Sequence, residues 1–132
     1  MKASATWINK DRFAGVATSG HALVMDAGET KHASSPLELV LIGLCGCTAT
    51  DVAMILRKKR QPFTFLEVHA AAERAPEPPQ VFTAIHLLYR ISSTVESKAI
   101  EDAVRLSQEK YCSVAQMLAK TATITSEIEY VD

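Results

Sequence analysis

Neither sign of charge predominates in this 132-residue sequence: 14 Lys and Arg stand against 15 Asp and Glu, a formal net charge of −1. That balance gives no electrostatic reason to expect nucleic acid or an anionic membrane surface as a partner. The cysteines number three, an odd count. No N-terminal segment joins a basic start, an apolar stretch and a small-residue cleavage site. A secreted disulfide scaffold is therefore disfavoured and a reducing cytoplasm is expected. The longest apolar run, residues 39–47, falls short of the roughly 18 residues needed to cross a bilayer, so burial in protein is expected and no membrane. There is no internal repeat, low-complexity tract or linker, and the length fits a single domain over 1–132.

The clearest punctuation is "APEPPQ" at 75–80, whose three prolines break helix and strand alike and read as a turn. On either side, 63–74 and 81–92 are rich in β-branched and aromatic residues. Val81, Ile85, Leu87, Tyr89 and Ile91 recur nearly every second position, the pattern of paired antiparallel strands. Near the start, "ASATWIN" alternates, and "GVATSGHALVM" breaks at Ser19-Gly20, which predicts a small meander with a hairpin at that glycine. The C-terminal "TATITSEIEYVD" sets Ala122, Ile124, Ser126, Ile128 and Tyr130 against Thr and Glu, the sharpest period-2 pattern in the chain and a strand.

Two helices are expected between these strands. Ser35, Pro36 and Glu38 form a capping box, with proline at the first helical position. The "RKKR" at 57–60 suits the negative end of the helix dipole, giving a helix of roughly 22–24 residues and about 35 Å. Ser93 and Glu96 form a second capping box before an amphipathic segment carrying Ile100, Ala103, Val104 and Leu106. The first helix is apolar almost all round over 39–47, more surface than a thin sheet and one helix can cover, and a homodimer burying two such helices together would enclose it.

Within "LVLIGLCGCTATDV" lie Cys45 and Cys47. On a helix they point ~200° apart and cannot chelate one ion. No second cysteine pair exists, and His21, His32, His69 and His86 lack ligand spacing, so no metal is expected. Cys45, on a face with Leu41, Ile42 and Ala49, reads as a core thiol. Cys47 differs, because Gly43 and Gly46 leave room near it and Asp51 shares its face at i+4. Cys112 lies where the second helix ends and Ser113 can begin a further one. The dipole at a helix start lowers a thiol pKa and burial raises it, and composition alone reads Cys112 as core.

The segments "SPLELVLIGLCGC" and "KYCSVA" together resemble the OsmC/Ohr-like family, the osmotically inducible protein C and organic hydroperoxide resistance proteins. The first is similar to the family's Asn/Ser-Pro-Glu-x-Leu helix start with a thiol eleven residues after the proline, here Pro36 to Cys47. The second is similar to its Cys-Pro/Ser-Val/Ile-Ser/Ala motif, and the element order agrees over nearly the whole chain.

The resemblance implies an α+β fold, with antiparallel sheets wrapped around long central helices in an interlocked homodimer and two sites at its interface. It implies that Cys47 attacks an organic hydroperoxide and that Cys112 captures the sulfenic acid as a disulfide, which a dithiol reductant such as a lipoyl-protein reopens. No separate cofactor is implied. In the family an arginine held by a glutamate stabilises the thiolate. The glutamate's position is Leu37 here, a departure, and Glu38 lies ~180° from Cys47 on a regular helix, where capping explains it. Arg12 is the best match for the arginine, with a solvated turn cation as its other reading. Lys31 is a second candidate, and Asp51 is a candidate to orient such a cation. The rival reading is a non-catalytic dimer holding a small hydrophobic ligand in the interface pocket.

Overall fold

Three strands, β1 (Ala3–Asn9), β2 (Arg12–Ala17) and β3 (Ala22–Asp26), form an antiparallel meander in that order. Gly20, at φ +84°, supplies the left-handed residue of the second turn, as the Ser19-Gly20 break anticipates. The computed structural model describes residues 1–132, and the chain divides into two compact units, 1–42 and 43–132. The first unit holds the meander. Its strands are short of cover, with Trp7, Phe13, Leu23 and Val24 all exposed.

Helix α1 (Pro36–Lys58) has 23 residues. Its capping box is formed: the Ser35 N–H donates to Glu38 Oε1 at 2.9 Å and the Glu38 N–H donates to Ser35 Oγ at 3.2 Å. Replacing Ser35 with Ala should lower stability by about 1 kcal/mol, read as a lower urea midpoint at unchanged slope. At the other end Arg57 and Lys58 occupy the last turn. Arg60 takes a positive φ of 57°, and the Gln61 N–H donates to the Leu56 carbonyl at 2.9 Å, the left-handed closure common at helix ends.

The apolar run of 39–47 understates the apolar length of α1. Over its length α1 is long and apolar enough to cross a membrane, with a mean hydropathy of 2.1 across 18 residues, because Thr48, Thr50 and Asp51 interrupt the run without ending the helix. Its burial follows one stripe at four-residue intervals: Leu44, Thr48, Val52 and Leu56 are each 0% exposed. Val40, one step N-terminal on the same spacing, is exposed, as are Ile42 and Met54, which lie off the stripe.

The second unit also contains a sheet of β4 (Leu66–Arg74), β5 (Phe82–Ser92) and β6 (Thr123–Val131), in that order. Strands β4 and β5 pair antiparallel across the proline turn. Ile85, Leu87, Tyr89 and Ile91 point inward and are buried, as their alternation requires. Val81 does not join them. It precedes the strand and is exposed, Phe82 is buried instead, and the register shifts between Glu73 and Arg74. Strand β6 pairs parallel to β5, so this sheet is mixed where antiparallel sheets were expected. A parallel pair needs a long crossover, and the segment between supplies it: α2 (Ser97–Leu106), a π-helical turn (Ser107–Tyr111) and α3 (Ser113–Leu118).

The second capping box is absent. Helix α2 starts at Ser97 after Glu96, with no side-chain cap. The Ser93 N–H donates to the Val131 carbonyl at 2.8 Å and its hydroxyl to Asp132 Oδ1 at 2.9 Å. The end of the β5–β6 ladder thus takes the serine that local sequence assigns to the helix. Of the α2 stripe, Ile100, Ala103 and Val104 are buried as expected, along with Ala99, while Leu106 is half-buried. The whole is an α+β fold.

Candidate functional site around Cys47 and Cys112

Helix α1 presents Cys47, Thr48 and Asp51 within little more than one turn. Opposite stands the π-helical turn, closed by the Cys112 N–H donating to the Ser107 carbonyl at 2.7 Å. One extra residue per turn is what distinguishes such a bulge from an α-helix, and bulges of this kind are frequent at functional sites. Here it ends α2 and delivers Cys112 to the N-cap of α3, where Sγ accepts from the Ala115 N–H at 3.4 Å.

Beneath the thiols runs a chain of buried polar groups. Gln108 Nε2 donates to Tyr89 Oη at 3.1 Å, Tyr89 Oη meets Thr48 Oγ1 at 2.7 Å, and Thr48 Oγ1 meets Ser107 Oγ at 2.8 Å. Ser107 Oγ then donates to Asp51 Oδ2 at 3.0 Å. The two ends set the direction of every proton. The amide can only donate from its nitrogen and an ionised carboxylate can only accept, so Tyr89 donates to Thr48 and Thr48 to Ser107. Each hydroxyl gives one bond and receives one. Thr48, Tyr89 and Ser107 are all 0% exposed, and no buried side-chain polar atom is without a partner.

At the end of this chain, one donor atom from each of Cys47, Asp51 and Cys112 lies within 4.8 Å of the other two. Cys112 is fully buried, while Cys47 and Asp51 are half-buried. Burial first, and then the neighbouring Cys47 and Asp51, push the Cys112 thiol up to about 11 against the opposing Ala115 N–H. Cys45 is half-buried and burial raises its thiol too. Beside Asp51 opens a groove of about 420 Å³ walled by Met54, Ile55, Leu106 and Tyr111, with Lys58 and Lys59 also lining it.

The other residues singled out in the sequence have partners of their own. Arg12 Nε donates to Asp26 Oδ2 at 3.2 Å. Asp26 is buried and also accepts from the Gly28 and His32 N–H groups at 2.9 and 3.0 Å. These backbone bonds, with Arg12 behind them, hold its carboxyl at about 2 against an ordinary 3.8. Because the folded value is the lower, Asp26 contributes stability above about pH 4 that is lost as pH falls towards 2. Urea midpoints of wild type and Asp26→Asn should therefore converge across that window. Asp51 takes Ser107 as partner and not a cation. Glu38 serves the cap, with its carboxyl lowered chiefly by the Ser35 N–H. Lys31 is exposed and Leu37 is half-buried.

Thr48, Tyr89, Ser107, Gln108 and Asp26 were not anticipated. For two of them a signal was present: Thr48 falls on the Leu44–Val52–Leu56 stripe and Ser107 on the Ile100–Ala103–Val104 stripe. A polar side chain on each of two buried faces points to a bond between them.

Residues 28–127 match the family model described as OsmC-like protein. The chain belongs to the OsmC-like protein family. It is 42% identical over 132 residues to protein YhfA of Escherichia coli strain K12, covering 99% of this chain and 98% of that protein. Solved OsmC-like structures share the fold at lower identity. The OsmC like protein from Mycoplasma pneumoniae superposes with a TM-score of 0.87 at 16% identity, covering 99% of this chain and 96% of that one. An organic hydroperoxide resistance protein OsmC from Legionella pneumophila gives 0.74 at 16% identity, covering 98% and 96%. The OsmC-like assignment thus agrees with the family resemblance of the two cysteine-bearing segments.

Proposed function

We propose that this OsmC-like chain is a thiol-dependent peroxidase that reduces organic hydroperoxides through Cys47 and Cys112. The observation that carries the reading is the meeting of those two thiols, 65 residues apart in sequence, with Asp51, which also lines a largely apolar groove. The name of the Legionella relative supports the substrate class.

In the proposed cycle the Cys47 thiolate attacks the terminal oxygen of ROOH. An S–O bond forms, the O–O bond breaks, and ROH leaves with a proton from solvent. Cys112 then attacks the Cys47 sulfenic sulfur, an S–S bond forms and water departs. A dithiol reductant restores both thiols by two exchanges and is itself oxidised to a disulfide. Arg12 is the cation that the family resemblance assigns to a thiolate at Cys47. The working unit is a cytoplasmic homodimer. The exposed Trp7, Phe13, Leu23 and Val24 of the meander, and Ile42 and Met54 of α1, support a second copy of the chain as their cover.

Steady-state consumption of cumene hydroperoxide with a dithiol reductant tests this reading. Wild type should turn over, and Cys47→Ser should fall to the rate without protein. The rival, a dimer that holds a small hydrophobic ligand without chemistry, is favoured by Leu37 in the glutamate position. It would give equal background rates for both proteins.

A further inference from the structure

The Cys45–Cys47 spacing rules out chelation by that pair, yet a different trio brings its donors together. We propose that, in the reduced protein, Cys47, Cys112 and Asp51 bind one thiophilic divalent cation of the zinc class. Their donor atoms lie within 4.8 Å of one another. Zinc–sulfur bonds of about 2.3 Å and zinc–oxygen bonds of about 2.0–2.2 Å place tetrahedral ligand atoms roughly 3.5–3.8 Å apart. The upper bound of 4.8 Å exceeds that spacing by about 1 Å, a gap on the scale of side-chain rotation.

The donor set selects the metal. Two thiolates and one carboxylate favour zinc-like ions over magnesium or calcium, and three protein ligands leave a fourth position for water or another small ligand. Orientation is already provided. Ser107 holds one Asp51 oxygen and leaves the other free, while the Ala115 N–H points at Cys112 Sγ, the outer-shell bonds that fix metal ligands. Cys47 and Asp51 share one face of α1 at i+4, and the groove beside Asp51 gives the ion a way in.

On binding, the two thiols release their protons to solvent and nothing is oxidised or reduced. A Cys47–Cys112 disulfide has no thiolate to offer, so oxidation and metal binding exclude each other. The site uses the same thiols as the peroxidase reading but does not rest on their reaction with peroxide.

Titration of the reduced, metal-free full chain with Co2+ tests the site without any oxidant. One equivalent should produce a thiolate-to-cobalt charge-transfer band, and one equivalent of Zn2+ should abolish it. Zinc should shield Cys47, but not Cys45, from iodoacetamide in peptide mapping of the wild type, a readout that needs no variant to fold. Cys47→Ser and Cys112→Ser should lose the band. Asp51→Asn should weaken binding about tenfold or more, and Cys45→Ser should stay within about twofold, because even outer-shell losses in metal sites reach 10–100-fold. No band in wild type, equal shielding of Cys45 and Cys47, or a Cys45→Ser defect matching the others would overturn the site. The peroxidase reading would stand or fall separately on turnover.

Discussion

Cys112→Ser is expected to abolish sustained peroxide turnover while leaving the first reduction intact. Cys47 would still be oxidised, but its sulfenic acid would meet a serine in place of a thiol. With no resolving partner it would react, more slowly, with a second hydroperoxide, releasing a second alcohol and becoming sulfinic acid, which thiols do not reverse. A stopped-flow burst of about one alcohol per chain, followed by loss of activity, is the expected record, whereas Cys47→Ser should show no burst. The wild-type resolving step should also depend on pH. Burial is the largest cause that raises the Cys112 thiol to about 11, and it persists after Cys47 is oxidised. The thiolate fraction, and with it the rate of disulfide formation, should rise about tenfold per pH unit below that value. A pH-independent resolving step would place the proton elsewhere.

Thr48→Val should destabilise the fold by about 2–6 kcal/mol, more than its small change in volume suggests. Valine fills the space but neither accepts nor donates, so Tyr89 loses its acceptor and Ser107 its donor in a fully buried place, at about 1–3 kcal/mol each. Urea unfolding measures the loss. A double-mutant cycle with Ser107→Ala should return a coupling of about 0.5–3 kcal/mol, since both side chains belong to one directional chain ending at Asp51. A loss below about 0.5 kcal/mol, as for an ordinary surface substitution, would show that the chain is not formed.

Much of this fold can be read from local chemistry, and the failures have physical causes. The Ser35–Glu38 box, the proline turn, the inward face of β5 and the amphipathic α2 all arise from interactions within a few residues, so sequence suffices. Ser93 and Glu96 have the same local credentials as Ser35 and Glu38. The edge of β6, some 38 residues on, takes Ser93 instead, and no local pattern reveals that. The parallel pairing of β6 is similarly invisible, because alternation defines a strand's faces and not its direction.

The site divides along the same line. Helical geometry separates Cys45 from Cys47, and the family resemblance points Cys47 towards Cys112. The π-helical turn that completes the approach cannot be seen in "SQEKY", which is unremarkable helix-compatible sequence. Asp26 was missed because its main partners are backbone N–H groups of Gly28 and His32, which become donors to it only once the loop is folded.

The central claim is that Cys47 and Cys112 act as one redox pair, and peptide mapping of the reduced wild type after one equivalent of cumene hydroperoxide tests it most directly. The expected product is a single Cys47–Cys112 disulfide with Cys45 still a free thiol. Slow oxidation spread over all three cysteines would contradict it.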